Sequence, residues 1–301
     1  MKLPAFLFQA RENLVEKVWG GHWIANLKGL KVFEKIGESW EFSAHPSRPS
    51  EVLVNGRKLR FLDLVSMAKK EILGKLVEKY SSFPLLVKIL DVRERISVQV
   101  HPSDDVAKAL GEEEPGKDEG WIILGSGKVY LGFKEDVEVV TPDELREDVL
   151  SRLNEYDAEF LDTFMIPAGT IHSAEDVRIL EISSNSNITY RIYDFRGREV
   201  QIEKAMKALN FARSKEKEVR GKKGRLEMLG FAAEVLEVSG SVDISTGEVF
   251  NLLFCLDGSV ILKSVGERAE LKKGFSCLVP AVTGRYRVEG DDAMIVRIYA
   301  K

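Results

Sequence analysis

The stretch RISVQVHPSDD, residues 95–105, alternates strictly between two kinds of side chain. Successive side chains of a strand point to opposite faces. Read as a strand, Ile96, Val98 and Val100 make one aliphatic face, while Ser97, Gln99 and His101 stand in a row on the other. Pro102 then ends the strand, because it has no N–H for a ladder. An aliphatic face seeks a core, so the polar row is left to line something else.

The chain around this strand reads as mostly β. PLLVKILDV, GWIILG, KVYLGF, DTFMIP, DVRILEIS and NITYRIYDF are further strands, several separated by Gly-containing turns. Helical spacing of Leu62, Val65, Ile72, Leu73, Leu76 and Val77 predicts an amphipathic helix over 62–80. Thr141, Pro142 and Glu144 give a capped start to a second helix over 141–155. A third, over 200–212, buries Ile202, Ala205, Met206 and Leu209. The basic, Gly-punctuated segment 213–225 reads as a solvated connector, and beyond it short strands resume, with CLDGSV as a hairpin signal. The fold class expected is mainly β with inserted helices, in two units spanning 1–215 and 216–301.

Composition narrows the classes of function. The 301 residues carry a net charge of −4 and are 44% hydrophobic, as in a soluble globular protein. Nothing favours a nucleic acid or an anionic membrane as partner. The first apolar run is too short for a signal peptide, no stretch approaches a membrane span, and the two cysteines, Cys255 and Cys277, suggest no disulfide framework. A cytoplasmic monomer or homodimer is the expectation.

PAGTIH, residues 167–172, places a histidine after a tight turn: Pro167 fixes φ, Gly169 supplies a permissive backbone, and His172 returns inward. A lone histidine there is more often structural than a ligand. The chain has only four histidines, however, and His101 already stands on a polar strand face, with Glu119 of KDEGWIILG between the two in sequence. Two imidazoles and a carboxylate suit Zn²⁺, Fe²⁺, Mn²⁺ or Co²⁺, with Gln99 available as a fourth ligand through its amide oxygen.

These motifs resemble a known family. Pro-x-Gly-x-x-His is similar to the second cupin motif, and Gln99-x-His101 followed by Glu119 looks like the first, with its first histidine replaced by Gln. More specifically, VWGG, GESWEFSAHP, FPLLVKILD, SVQVHPSDD, KDEGWIIL, IPAGTIHS and NITYRIYDF occur in the order found in type I phosphomannose isomerases, from about residue 18 to 212. The resemblance implies two cupin-like β-barrel or jelly-roll units, the first catalytic. It implies one divalent metal ion, zinc above all, on Gln99, His101, Glu119 and His172. It also implies an aldose–ketose isomerisation of a small phosphosugar, mannose 6-phosphate to fructose 6-phosphate, through a cis-enediol.

By the same resemblance Arg191, Lys117 and Glu181 are catalytic, and Ser97, Lys88, Glu38 and Trp40 bind substrate. Without it, Arg191 would read as a surface arginine and Glu181 as the partner of a buried cation. Lys88, with apolar residues on both sides, is expected to be poorly solvated. One departure stands out: Asn187 occupies a position where the family more often has Asp, and an amide cannot act as a base. Glu112, Glu113 and Glu114 read as a solvated loop.

The second unit has no histidine. VPAVTGRY, residues 279–286, echoes IPAGTIHS but places Val282 and Arg285 where Gly169 and His172 would be, so it reads as a degenerate cupin without metal ligands. Two other functions fit part of the pattern: a non-haem iron cupin oxygenase, which also uses two histidines and a carboxylate, and a non-catalytic sugar-phosphate-binding cupin. Gln99, Lys88 and Arg191 favour the isomerase over both.

Overall fold

All eight residues of the Leu85–Val92 strand are buried, because the sheet that contains it is covered on both faces. Leu90 and Val92 pack into one core, while Leu85, Val87 and Ile89, on the alternate face, pack into another. The computed structural model describes residues 2–138 and 141–301. In it this strand is third in a six-stranded antiparallel sheet, ordered Leu14–Gly21, Ile36–Glu41, Leu85–Val92, Val177–Ser184, Glu119–Gly125 and Thr163–Ile166.

A five-stranded antiparallel sheet lies against it, ordered Tyr190–Tyr193, Val98–Val100, His172–Glu175, Gly127–Phe133 and Leu153–Ala158. Trp19, Leu90, Trp121 and Ile179 of the first sheet meet Val129, Leu131 and Ala174 of the second in one hydrophobic core. The layers therefore form a sandwich.

The other face of the six-stranded sheet, with Val87, Ile122 and Ile182, packs with Phe61, Leu64 and Ile72 of the inserted helices and with Phe250, Leu252 and Ile298 of the C-terminal part. That part, from Arg225 onward, is a seven-stranded sheet dominated by the long pair Phe231–Ser245 and Arg285–Ala300. Mainly-β architecture with short helices is thus as expected. No sheet closes into a barrel among the described residues.

Tertiary contacts shorten every helix that the sequence predicts. The expected helix over 62–80 is three pieces, Phe61–Met67, Lys69–Leu73 and a 3₁₀ turn at Gly74–Glu78. Gly74 has φ +61°, and a Cβ there would sit 1.9 Å from the carbonyl oxygen of Glu248, so the chain must turn where it meets the C-terminal sheet. The second helix keeps its cap, with Glu144 N–H donating to Thr141 Oγ1 at 3.3 Å, but ends at Glu147. Its expected last turns become part of the edge strand Leu153–Ala158, which gains a ladder with Gly127–Phe133. The third runs only over Ile202–Ala208.

Two further expectations change. Asp257-Gly258 does not make a hairpin: the strands on either side, Asn251–Asp257 and Ser259–Ser264, both pair with Arg285–Ala300, and Gly258 at φ +67° is a kink between them. The basic connector 213–225 is not a free linker either. Val219 is buried, Arg220 donates to Asp162 at 2.8 Å, and Gly221 N–H bonds the Thr163 carbonyl at 3.0 Å. No helix among the described residues is long and apolar enough to cross a membrane.

Candidate active site

The opening strand is short, Val98–Val100, but its faces divide as the alternation requires. Val98 and Val100 are buried in a core with Tyr190 and Ile192. Gln99 pairs across the ladder with His172 on one side and with Arg191 on the other, so three polar side chains stand on one rung. The Pro167 turn docks onto this strand: Gly169, at φ +88°, donates its N–H to the His101 carbonyl at 2.8 Å.

Glu119 arrives from the opposite sheet, and with His101 and His172 forms a fully buried group whose donor atoms all lie within 4.8 Å of one another. Both histidines are oriented from behind. Nδ1–H of His101 donates to the Ile188 carbonyl at 2.7 Å, and Nδ1–H of His172 donates to that of Thr170 at 2.9 Å. Each Nε2 lone pair is thereby turned into the site, the tautomer that a metal requires. Burial, and next to it the neighbouring His101, pushes the His172 imidazole down to about 3. Burial followed by the Lys117 charge lowers His101 as well, so both rings are neutral.

His101 Nε2 and Glu119 Oε2 are 2.9 Å apart and both buried; the imidazole nitrogen has no hydrogen-bond partner, while the carboxylate oxygen has the Lys117 ammonium beside it. Two lone-pair atoms facing each other in a dry site are what a cation would relieve. The donors present therefore fit a divalent metal. Gln99 directs its amide nitrogen at His172 Nε2, 3.1 Å away, and takes a hydrogen bond from Ser97 Oγ to its oxygen at 3.0 Å. A half-turn of the amide would exchange these two atoms and present the oxygen instead.

Charge is arranged in layers beside this group. Lys117 Nζ lies 2.6 Å from Glu119 Oε2 and donates to Glu181 Oε1 at 2.9 Å. Burial works to raise the Glu119 carboxyl, but the Lys117 ammonium overcomes it and holds it well below the ordinary range. For Lys117 burial works downward, and Glu119 and Glu181 outweigh it, so the ammonium is held above its ordinary value. Lys88, nearly fully buried as its apolar surroundings predict, lies 3.6 Å from Glu181 Oε1 and 4.8 Å from the Trp40 ring centre. Trp40 in turn donates Nε1–H to Glu38 at 2.7 Å.

Apart from Trp40, these groups line one cavity of about 170 Å³, together with Arg191. The Arg191 guanidinium is half-buried, and its Nε is buried with no partner. The structure brings Ser97, Gln99, Glu119, Glu181, Arg191, Lys117, Lys88 and Glu38 to this cavity; His101 and His172 stand behind Gln99 and Glu119, and Trp40 lies under Lys88. A larger open cleft of about 1340 Å³, around Asp91, Arg93 and Lys128, contains none of them.

Sequence reasoning missed Lys17, Trp19, Leu90, Thr189 and Arg198 as lining residues. Lys17 carried no local signal, although it pairs with Glu38 at 2.9 Å. The acidic loop is not simply solvated. Glu112 accepts from Tyr190 Oη at 2.9 Å and Lys204 at 2.6 Å, and Glu114 accepts from Asn187 N–H at 2.6 Å. Its side chains are bound because the strand that carries Arg191 folds back alongside it, a contact between distant parts of the chain.

Comparison with known proteins bears on this geometry. Residues 7–119 match the family described as phosphomannose isomerase type I, catalytic domain, and residues 227–300 match that described as mannose-6-phosphate isomerase, cupin domain. The mannose-6-phosphate isomerase of Streptococcus mutans is 30% identical over 97% of this chain and 96% of its own length. A provisionally assigned mannosephosphate isomerase from Archaeoglobus fulgidus has a solved structure with TM-score 0.93 and 46% identity, covering 100% of this chain and 99% of that one. The structure of the mannose 6-phosphate isomerase from Bacillus subtilis follows this fold with TM-score 0.84 and 26% identity, over 98% and 99% of the two chains.

Proposed function

The chain belongs to the type I phosphomannose isomerase family, and on that premise we propose that it is a metal-dependent aldose–ketose isomerase interconverting mannose 6-phosphate and fructose 6-phosphate. The observation that carries this reading is the paired geometry of the site. Two neutral imidazoles, each held by its Nδ1–H to a backbone carbonyl, converge with a carboxylate beside a cavity lined by Lys88, Lys117 and Arg191.

His101, Glu119 and His172 hold the metal, with Gln99 as fourth ligand after its amide turns. Nitrogen and oxygen donors of this kind suit zinc, our assignment for the ion. When bound, it supplies positive charge that favours the oxyanion character O1 and O2 acquire as C2 loses its proton.

The remaining work belongs to the chain. Isomerisation moves a proton from C2 to C1 and another between O2 and O1, through a cis-enediol. Lys117 and Glu181 form a buried hydrogen-bonded pair with the groups to pass a proton at the carbon centre or its oxygens. Arg191 stays charged at any working pH, and its unpartnered Nε offers a donor to the enediolate. Lys88 and Ser97 contact the phosphorylated substrate, while Glu38 and Trp40 shape the wall beside Lys88. Asn187 bonds Lys88 and takes no part in proton transfer.

Residues 1–215 form the catalytic unit and 216–301 a cupin-like unit without metal ligands. The position of all four histidines before residue 173 and the cupin-domain match at 227–300 support this division. Two free, buried cysteines support a reducing, cytoplasmic setting, and the enzyme is assigned as a monomer or homodimer.

The test is a coupled isomerase assay on metal-stripped protein, with mannose 6-phosphate as substrate and Zn²⁺, Fe²⁺ or no metal restored. Return of turnover with a divalent ion supports the reading. Stoichiometric metal binding without turnover would overturn it in favour of a binding protein.

A further inference from the structure

We propose that Glu114 and His45 are positioning residues for Lys88, closing a ring of contacts that fixes its ammonium in the substrate cavity. This rests on the isomerase reading only in assigning Lys88 to substrate. The ring itself is in the structure. Lys88 Nζ donates to Asn187 Oδ1 at 2.9 Å. Asn187 is exposed, so nothing in its own burial holds it. Its backbone N–H donates to Glu114 Oε2 at 2.6 Å, and the hydroxyl of the preceding Ser186, which is buried, donates to the same oxygen at 3.2 Å. Glu114 Oε2 also lies 3.2 Å from His45 Nε2.

His45 is itself locked. Ser47 N–H donates to Nδ1 at 3.3 Å, which leaves Nε2 to carry the proton towards Glu114. The imidazole is buried and meets the Trp40 ring edge-to-face at 5.8 Å between centres. Trp40 completes the circuit, because Lys88 Nζ stands 4.8 Å from its ring centre. Five side chains from three separate segments thus link into a circuit that begins and ends at one ammonium.

Lys88 needs such a device. Among the described residues the one carboxylate within ion-pair distance of it, Glu181, is 3.6 Å away and already accepts from Lys117 at 2.9 Å. Asn187 supplies the short hydrogen bond, and an amide contributes direction without cancelling the charge that a phosphosugar would meet. Position therefore depends on what anchors residue 187, and that anchor is Glu114.

The experiment is a double-mutant cycle between Glu114→Ala and Lys88→Ala on the zinc-loaded enzyme, with mannose 6-phosphate kinetics, metal content and melting temperature recorded. Loss of a charge-assisted anchor should raise KM about tenfold in Glu114→Ala while kcat changes less than about threefold and metal content stays the same. Glu114→Gln, which keeps an acceptor for Asn187 N–H, should recover most of the loss. On the Lys88→Ala background Glu114→Ala should add nothing to KM. Full multiplication of the two effects, or a lowered melting temperature with KM unchanged, would overturn the proposal. If Glu114→Ala does not fold, Asn187→Ala puts the same question from the other side.

A second readout does not depend on turnover: acylation of Lys88 by an amine-reactive reagent, followed by mass spectrometry against Lys17 as internal reference. The ring predicts that acylation of Lys88 is at least about fivefold faster in Glu114→Ala than in wild type. An unchanged rate overturns it. Wild-type protein that fails to isomerise mannose 6-phosphate would refute the isomerase reading, while the acylation rates would still decide on the ring.

Discussion

His101 Nε2 and Glu119 Oε2 face each other at 2.9 Å, although His101 directly follows a strand of the five-stranded sheet and Glu119 opens a strand of the six-stranded one. The Lys117 ammonium relieves the carboxylate, but the buried His101 lone pair still lacks the partner that a bound cation would supply. His172→Ala should therefore abolish both metal retention and turnover, read by elemental analysis of the purified protein and by the coupled assay. Full metal content in that variant would remove His172 from the ligand set.

Arg191 shares its rung with Gln99 yet belongs to a different task. Arg191→Ala should leave the metal in place and lower kcat by about 10²–10³-fold, the range seen on losing one preorganised donor to a developing oxyanion. Lysine should not restore it, since a point charge does not reproduce the planar fork. Loss of bound metal from the alanine variant would contradict this assignment.

Glu181 is the carboxylate shared by Lys117 and Lys88. Glu181→Gln takes from two buried ammonium groups the carboxylate they share, leaving Glu119 beside Lys117 and Glu38 near Lys88. Breaking a buried pair in this way should cost about 3–5 kcal/mol of stability, measured by urea unfolding at neutral pH. An unchanged midpoint would show that the pair is solvated in solution.

Glu38 links charge to stability through pH. Burial alone would raise its carboxyl, but Lys88, Lys17 and the Trp40 N–H bring it from 4.5 down to about 2. A carboxyl depressed in the folded state contributes stability above its unfolded value and loses it as pH falls through the folded one. The contribution, about 3 kcal/mol, is therefore complete above the unfolded value of 4.5 and disappears towards about 2. Unfolding free energies of wild type and Glu38→Gln should differ most at neutral pH and converge on acidification; a constant gap would exclude ionisation as the cause.

Local pattern alone determined much of this protein. The alternation at 95–101 assigned Gln99 and His101 to one face and the valines to the other, because a strand's period of two leaves no other arrangement. The same logic held for Lys88, whose neighbours on both sides face cores. Thr141, Pro142 and Glu144 specified a helix start because a cap is satisfied within four residues. The scarcity of histidines and their strand and turn settings brought His101, Glu119 and His172 together as candidate ligands, and the order of motifs gave the family.

Only tertiary structure decided the rest. Helix lengths were set by what each segment met: Gly74 turns at the Glu248 carbonyl, and residues 153–158 join a sheet edge instead of extending a helix. Glu112 and Glu114 look like solvent-facing acids in sequence, yet they bind Tyr190 and Asn187, some seventy residues away. Lys17 and Arg198 reach the cavity on chain segments with no local signature. Periodicity reports which face a side chain takes on its own element, whereas its partners depend on how elements cross, and that is settled by burial and hydrogen-bond satisfaction over the whole chain.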